Sequence, residues 1–275
     1  MSDLTSSEAD LGSAARSDDR SMPLFAARAL FLALVLAIWQ GAVAAGLADA
    51  AFISTPAGVA QSLWLLFKSG DVLPNLGTTL IEIAISFALS VVFGIASAVV
   101  LDRNAWLNRI VSPFLTALNS MPRIALGPLF ILWFGIGIAS KVVLAFSLGY
   151  FIMLLSTLGG LKNVDRDLLL MSRLFGASEL RLFRHVRLPW ALPGIFAGLK
   201  LTLIYCSAGA VIGEMIAARS GLGLLVQTFS GRFDVAGVMA LILIVALMVM
   251  TLTSLMELTE RRLLEWSKGS TDVPG

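Results

Sequence analysis

Six of the chain's twenty Lys and Arg residues fall in one polar interruption between two long apolar runs. They are Lys162, Arg166, Arg173, Arg181, Arg184 and Arg187, within KNVDRDLLLMSRLFGASELRLFRHVRLPWALP, residues 162–193. A basic, helix-patterned segment kept on one side of a bilayer is suited to dock a partner or to meet lipid headgroups. Little else is equipped for chemistry. The single histidine, His185, has no nucleophile or metal partner and belongs to the loop surface. The single cysteine, Cys206, lies in an apolar run as a packing residue. One Cys and one His build neither a disulfide framework nor a zinc site. No Gly-x4-Gly-Lys-Ser/Thr phosphate loop occurs, so the chain has no visible nucleotide site and no cofactor site of its own.

The elements that position the loop are membrane helices. Hydrophobic residues make up 57% of the 275-residue chain and charged residues 14%. A soluble domain has about 25% charged residues. Six apolar stretches of spanning length follow, at about 24–47, 80–101, 116–138, 142–161, 191–216 and 235–256. The chain is therefore expected to be an all-α membrane protein with six transmembrane helices. Residues 1–21 read as a disordered tail, 22–265 as the membrane domain with its loop at 162–190, and 266–275 as a flexible tail. The acidic start does not suit a signal peptide, so the first span is expected to stay as an uncleaved anchor. The net charge of +2 gives no indication of nucleic acid.

Orientation follows from the basic residues. With the N-terminus inside, Arg16, Arg20, Arg103, Arg109, the six loop residues, Arg261, Arg262 and Lys268 are cytoplasmic, thirteen in all. Lys68, Lys141, Arg219 and Arg232 make four outside, and Arg28, Arg123 and Lys200 lie in or at the edge of spans. Both termini and the 162–190 loop are expected in the cytoplasm. Outside, Ser54 or Thr55 can cap a short helix from Pro56, carrying Val59, Leu63, Leu66 and Phe67 at helical spacing. That helix either packs on its own bundle or meets a partner.

In the loop, Asn163 or Asp165 can cap a helix over 166–175, and Gly176 is placed to end it in a left-handed conformation. Ser178 can cap a second helix over 179–187, which Pro189 and Pro193 end before the fifth span. Arg181, Arg184 and Arg187 recur on roughly one face of it. Leu168, Leu169, Leu170, Met171, Leu174 and Phe175 are too many apolar residues for a solvated loop.

The spacing Gly176, nine residues, Val186-x-Leu188-Pro189 resembles the cytoplasmic signature of binding-protein-dependent ABC importer permeases, Glu-Ala-Ala, three residues, Gly, nine residues, Ile-x-Leu-Pro. Gly176-Ala177-Ser178, Leu188-Pro189…Leu192-Pro193 and the segments 122–137, 156–169 and 213–226 also resemble this family, most closely its nitrate, sulfonate and taurine branch. The resemblance covers about residues 54–265. It implies a type I ABC importer permease fold with a coupling helix between spans four and five. It further implies cytoplasmic ATPase subunits that bind the ATP, a second permease copy in a homodimer, a periplasmic or extracellular solute-binding protein, a lipid bilayer around the chain and a location in the bacterial inner membrane. The coupling residues it implies are Asp167, Met171, Ser172, Phe175, Gly176, Ala177, Ser178, Leu180, Arg181, Phe183, Arg184, Val186, Leu188 and Pro189. Leu170, Met171 and Ser172 stand where the family has Glu-Ala-Ala, so a salt bridge from position 170 is missing; Asp167 or Glu179 are candidate substitutes.

Asn119, Pro122, Arg123 and Pro128 interrupt the third span, which suggests a bent helix or re-entrant turn near 121–127. Arg123 and Asn119 either line a wet path or, for Arg123, snorkel to the surface. Glu214 is a candidate path residue or an ordinary helix-end residue. Glu82 is expected to be solvated or paired and Lys200 to snorkel inward. Ser207, Ala208, Gly209 and Ala210 suit subunit contact or internal packing. The expected solute is a sulfonate-, nitrate- or taurine-type anion, with a vitamin-precursor pyrimidine as the alternative. An ion-driven transporter would show paired intramembrane carboxylates or a repeated half, which the sequence does not display. A membrane enzyme would need a clustered constellation that is also missing.

Overall fold

The computed structural model describes residues 24–47 and 49–263. The tails expected at 1–21 and 266–275 lie outside them. The chain divides after Ala60 into two compact units. The first carries α1 (Leu24–Ala44), α2 (Ala50–Ile53) and the start of α3 (Pro56–Ser69). Asp49 caps α2 by accepting from the Ala51 N–H at 2.9 Å. Thr55, one of the two expected caps, accepts from the Gly58 N–H at 3.0 Å, and Pro56 opens α3 where a missing N–H costs nothing.

The second unit continues with α4 (Val72–Arg103), α5 (Ala105–Ser120), a 3-10 turn (Arg123–Leu126), α6 (Gly127–Phe134) and α7 (Ile138–Lys162). The loop helices α8 (Arg166–Leu174) and α9 (Glu179–Leu182) follow, then a π turn (Phe183–Arg187), α10 (Leu188–Ile216), α11 (Leu222–Gly231) and α12 (Val235–Leu263). Among the described residues there is no strand. Five helices are long and apolar enough to cross a membrane, and the α5–α6 pair, bent by 80°, makes the sixth span.

Besides α4 beginning at Val72 rather than near 80, two boundaries differ from the sequence expectation. The third span is a broken pair that begins at Ala105, well before 116, where Asn104 caps the Leu107 N–H at 3.0 Å. It breaks because Pro122 holds Met121 extended, at ψ 139°, and offers no N–H to continue the helix. The second difference is at Pro189, which does not separate the second loop helix from the fifth span. Helix continues from Glu179 to Ile216, 38 residues. The Leu188 N–H donates to the Phe183 carbonyl five residues back. Pro189 has no N–H for the His185 carbonyl, and the wider π turn relieves the clash that its ring would make there.

In lipid, apolar contact alone does not choose a neighbour, so close backbone approach and polar pairs decide the packing. α7 packs against both α4 and α10. A Cβ on Gly209 would stand 2.7 Å from the Ala145 Cα, so only glycine lets α10 approach α7 this closely. Of the two roles expected for the small residues near 207–210, Gly209 takes internal packing. Cys206 is buried beside it with Sγ 3.6 Å from the Ala145 carbonyl, as a packing residue should be.

Charged residues also pair inside the bundle. Lys141, counted above as an outer-flank charge, lies within α7 at 3% exposure, and its Nζ donates to Glu82 Oε1 at 3.1 Å. The pairing expected for Glu82 thus takes Lys141 out of the flank count. Lys200 pairs with Glu257 and Glu260 near the C-terminal end of α12.

Candidate coupling and transport site

The loop is built around Gly176. Asp165 caps α8 by accepting from the Asp167 N–H at 2.9 Å. At the other end Gly176 has φ +76°, its N–H donates to the Arg173 carbonyl at 2.9 Å, and the Ala177 N–H donates to the Ser172 carbonyl at 3.1 Å. These two bonds are the Schellman pattern, which needs a left-handed residue after the helix cap. Ser178 occupies the N-cap position of α9, but its side chain makes no capping bond. The elbow is clipped by Arg173 to Glu179 at 3.0 Å. Glu179 stays 73% exposed in this pair, and Leu170, where the resembling family has an acid, is also exposed.

The loop residues separate into two sets. Asp167, Met171, Phe175, Ser178, Leu180, Arg181 and Arg184 are exposed, with Leu174 at 79% and Phe175 at 87%. Ser172, Ala177, Phe183, Val186, Leu188 and Pro189 are half-buried. Arg187 leaves the face shared with Arg181 and Arg184, and its Nη1 donates to Asp102 Oδ2 at 3.0 Å. Arg103 stacks on the Phe183 ring at 4.6 Å. The end of α4 is thereby bound to the π turn, around a cleft of about 590 Å³ lined by Asp102, Arg103, Arg173, Glu179, Leu180, Phe183 and Arg187.

The candidate path residues fall in two places. Arg123 sits at the break of the third span. Its guanidinium donates to the Ser147 carbonyl at 2.7 Å, the Asn119 carbonyl at 3.1 Å and Asn119 Oδ1 at 2.7 Å, and stacks over Phe151 at 4.7 Å. It splints the bent span to α7. Glu214 is buried near the start of α7, beside Lys141. Thr79 Oγ1 donates to its Oε1 and the Gly223 N–H to its Oε2, both at 2.7 Å. Asn75 Oδ1 accepts from the Gly221 N–H at 2.6 Å and Thr79 Oγ1 from the Leu222 N–H at 2.9 Å. Side chains of α4 and α10 thus serve the first N–H groups of α11, which a helix cannot satisfy internally. Glu82 lies one turn beyond Thr79, and Lys141 packs against Gly213 next to Glu214. Two carboxyl groups and one ammonium share this buried cluster.

Residues 90–265 match the family model described as binding-protein-dependent transport system inner membrane component. The chain belongs to this family. The permease is 34% identical to the riboflavin transport system permease protein RibX of Chloroflexus aurantiacus, over 86% of its own length and 88% of that protein's. It is 31% identical to the formylaminopyrimidine transport permease protein ThiX of Halalkalibacterium halodurans, over 87% and 95%. To the putative aliphatic sulfonates transport permease protein SsuC of Escherichia coli it is 30% identical, over 85% and 89%. Its fold matches a structure of the MetNI methionine ABC transporter in inward-facing conformations, with TM-score 0.60 at 22% identity, over 72% of the permease and 96% of that chain.

Sequence reasoning missed how the distant charges of this permease meet. The Lys141–Glu82–Glu214 cluster supplies the paired intramembrane carboxylates that the ion-driven alternative lacked in sequence, but Lys141, Thr79 and the Gly223 N–H hold them in place. Family membership, not the presence of acids, decides between the two. Replacing Arg123 by Leu removes three hydrogen bonds from the bend while leaving the loop untouched. Solute uptake by Arg123→Leu vesicles is expected to fall by about tenfold or more, with ATPase co-purification unchanged. Uptake at the wild-type rate would leave Arg123 with no part in the path.

Proposed function

We propose that this chain forms the membrane path of an ATP-driven importer, with ATP bound and hydrolysed in separate cytoplasmic ATPase subunits. The loop helices α8 and α9 and the π turn seat in those subunits, both termini lie in the cytoplasm, and a second copy of the chain completes the path. A solute-binding protein outside the membrane delivers the solute. The observation that carries this reading is the loop surface, where Leu170, Met171, Leu174, Phe175 and Leu180 stand exposed among Arg181 and Arg184 on a segment anchored to α4. An exposed apolar patch with a charged rim is the form of a protein interface, and headgroup contact alone does not require Phe175 to project. ATPase-driven movement of α9 passes directly into α10, because the two are one continuous helix.

The solute class read from the sequence, a sulfonate-, nitrate- or taurine-type anion, is supported by the similarity to SsuC. A second reading, a vitamin-precursor pyrimidine or related heterocycle, is favoured by the slightly higher identities to RibX and ThiX. Vesicles holding the permease, its ATPase and its binding protein test both. Radiolabelled taurine, methanesulfonate, nitrate, formylaminopyrimidine and riboflavin are offered with ATP, with and without an ionophore. ATP-dependent uptake that survives the ionophore supports the importer, and the compound taken up selects the class. Uptake that needs an ion gradient and ignores ATP contradicts the importer.

A further inference from the structure

Helix α5 has three distinct sides. Leu107, Val111 and Leu115 pack on the core formed by Ala98, Leu101, Leu154 and Leu158. Trp106, Ile110, Phe114 and Leu118 are exposed and apolar, as a lipid-facing side must be. The remaining side carries Asn108, Ser112, Thr116, Asn119 and Ser120, whose three- and four-residue spacing puts them in one column. The column is about 18 Å long at the helical rise per residue. Thr116, Asn119 and Ser120 are exposed, and Asn108 and Ser112 are half-buried.

Hydroxyl groups survive in lipid by donating back along the helix, and those of Ser112, Thr116 and Ser120 do so at 2.9, 3.0 and 2.9 Å. That does not serve a carboxamide. Asn119 Oδ1 accepts from Arg123, while among the described residues its Nδ2 meets no acceptor. A column with two carboxamides and three hydroxyls is not a lipid face. The charges on its own stretch of chain are one-sided. Residues 104–137 contain Arg109 and Arg123 and no Asp or Glu. Such a wall repels cations and concentrates anions.

We infer that the polar side of α5 lines the water-filled solute path and there contacts a small anionic solute. The inference rests on the permease reading above and adds to it which helix side forms the wall of the path and meets the solute. The single, buried Cys206 provides the means of testing it, because Cys206→Ser leaves no thiol in the chain. Single cysteines are then introduced on the polar side, as Ser112→Cys, Thr116→Cys and Ser120→Cys, and on the apolar side, as Ile110→Cys, Phe114→Cys and Leu118→Cys. Inside-out vesicles containing the complete transporter are treated with charged, membrane-impermeant methanethiosulfonates. Polar-side cysteines are expected to react about tenfold faster than apolar-side ones, since only the thiolate reacts and lipid suppresses it. At Thr116→Cys the anionic sulfonatoethyl reagent is expected to outrun the cationic trimethylammonium reagent by about tenfold, after correction for their rates on a free thiol. Equal labelling of the two sides overturns the path assignment, and an absent or reversed charge preference overturns the anion. The permease reading fails by a different measurement, loss of the ATPase on purification, so the two failures are separable.

Discussion

A valine at Gly176 is expected to weaken binding of the ATPase subunits by about tenfold. Gly176 has φ +76° and closes α8, its own N–H donating to the Arg173 carbonyl and that of Ala177 to the Ser172 carbonyl. A Cβ there would meet nothing within 4 Å, so the penalty is entirely one of backbone conformation. A left-handed L-residue costs about 1–2 kcal/mol, and β-branching adds to it. That is small against the stability of a membrane bundle but large for an interface that must hold α8 and α9 at one angle. The chain relieves the strain by letting the elbow open, which moves Leu174 and Phe175 away from Leu180 and Arg181. The substitution series is therefore informative. Gly176→Asn, which tolerates the left-handed region, should stay within about threefold of the wild type, Gly176→Ala should fall between, and Gly176→Val should be worst. Titration of purified ATPase against permease in detergent reads the order. A valine variant that binds and couples like the wild type removes the elbow from the mechanism.

The second large effect lies in the bundle. Lys141→Met is expected to destabilise the permease by about 3–5 kcal/mol, because removing one partner of a buried ion pair leaves the other uncompensated. Here Glu82 would lose its cation while Glu214 remains close by, and Glu82 Oε2 already lacks a hydrogen-bond partner. The double replacement Lys141→Met with Glu82→Gln should recover most of the loss, since no uncompensated charge is then left buried. The midpoint of heat-induced aggregation in detergent, followed by fluorescence size-exclusion chromatography, compares the single and double variants. If the double variant is no more stable than the single one, the pair is not what holds α4 to α7.

Both predictions concern charges or turns, and they differ in how visible they were in sequence. Gly176 was legible because helix termination is local: a glycine after an apolar helical run, followed by Ser178, specifies an elbow on its own. The spans were legible from length and apolarity. The start of the third span was not, because Asn108, Arg109, Ser112 and Pro113 lower the hydropathy of residues 105–115 and hide an amphipathic helix. The π turn was not legible either, since Pro189 signals a break in sequence while the chain absorbs it by one wider turn. Lys141–Glu82, Thr79–Glu214 and Arg187–Asp102 are 59, 135 and 85 positions apart. Which faces of which helices meet is set by packing, and local periodicity carries no record of it. Lys141 was misplaced for that reason, because a lysine near a helix end has the same pattern whether it turns to water or into the bundle.

The most direct test is a mild-detergent purification of the tagged chain from its native membranes, with identification of every protein that comes with it. An ATP-binding subunit recovered with the wild type, and depleted by Gly176→Val, is the predicted result. Recovery of the chain alone, still moving solute in vesicles under an ion gradient without ATP, would contradict the importer and return the Lys141–Glu82–Glu214 cluster to consideration as an ion-coupling site.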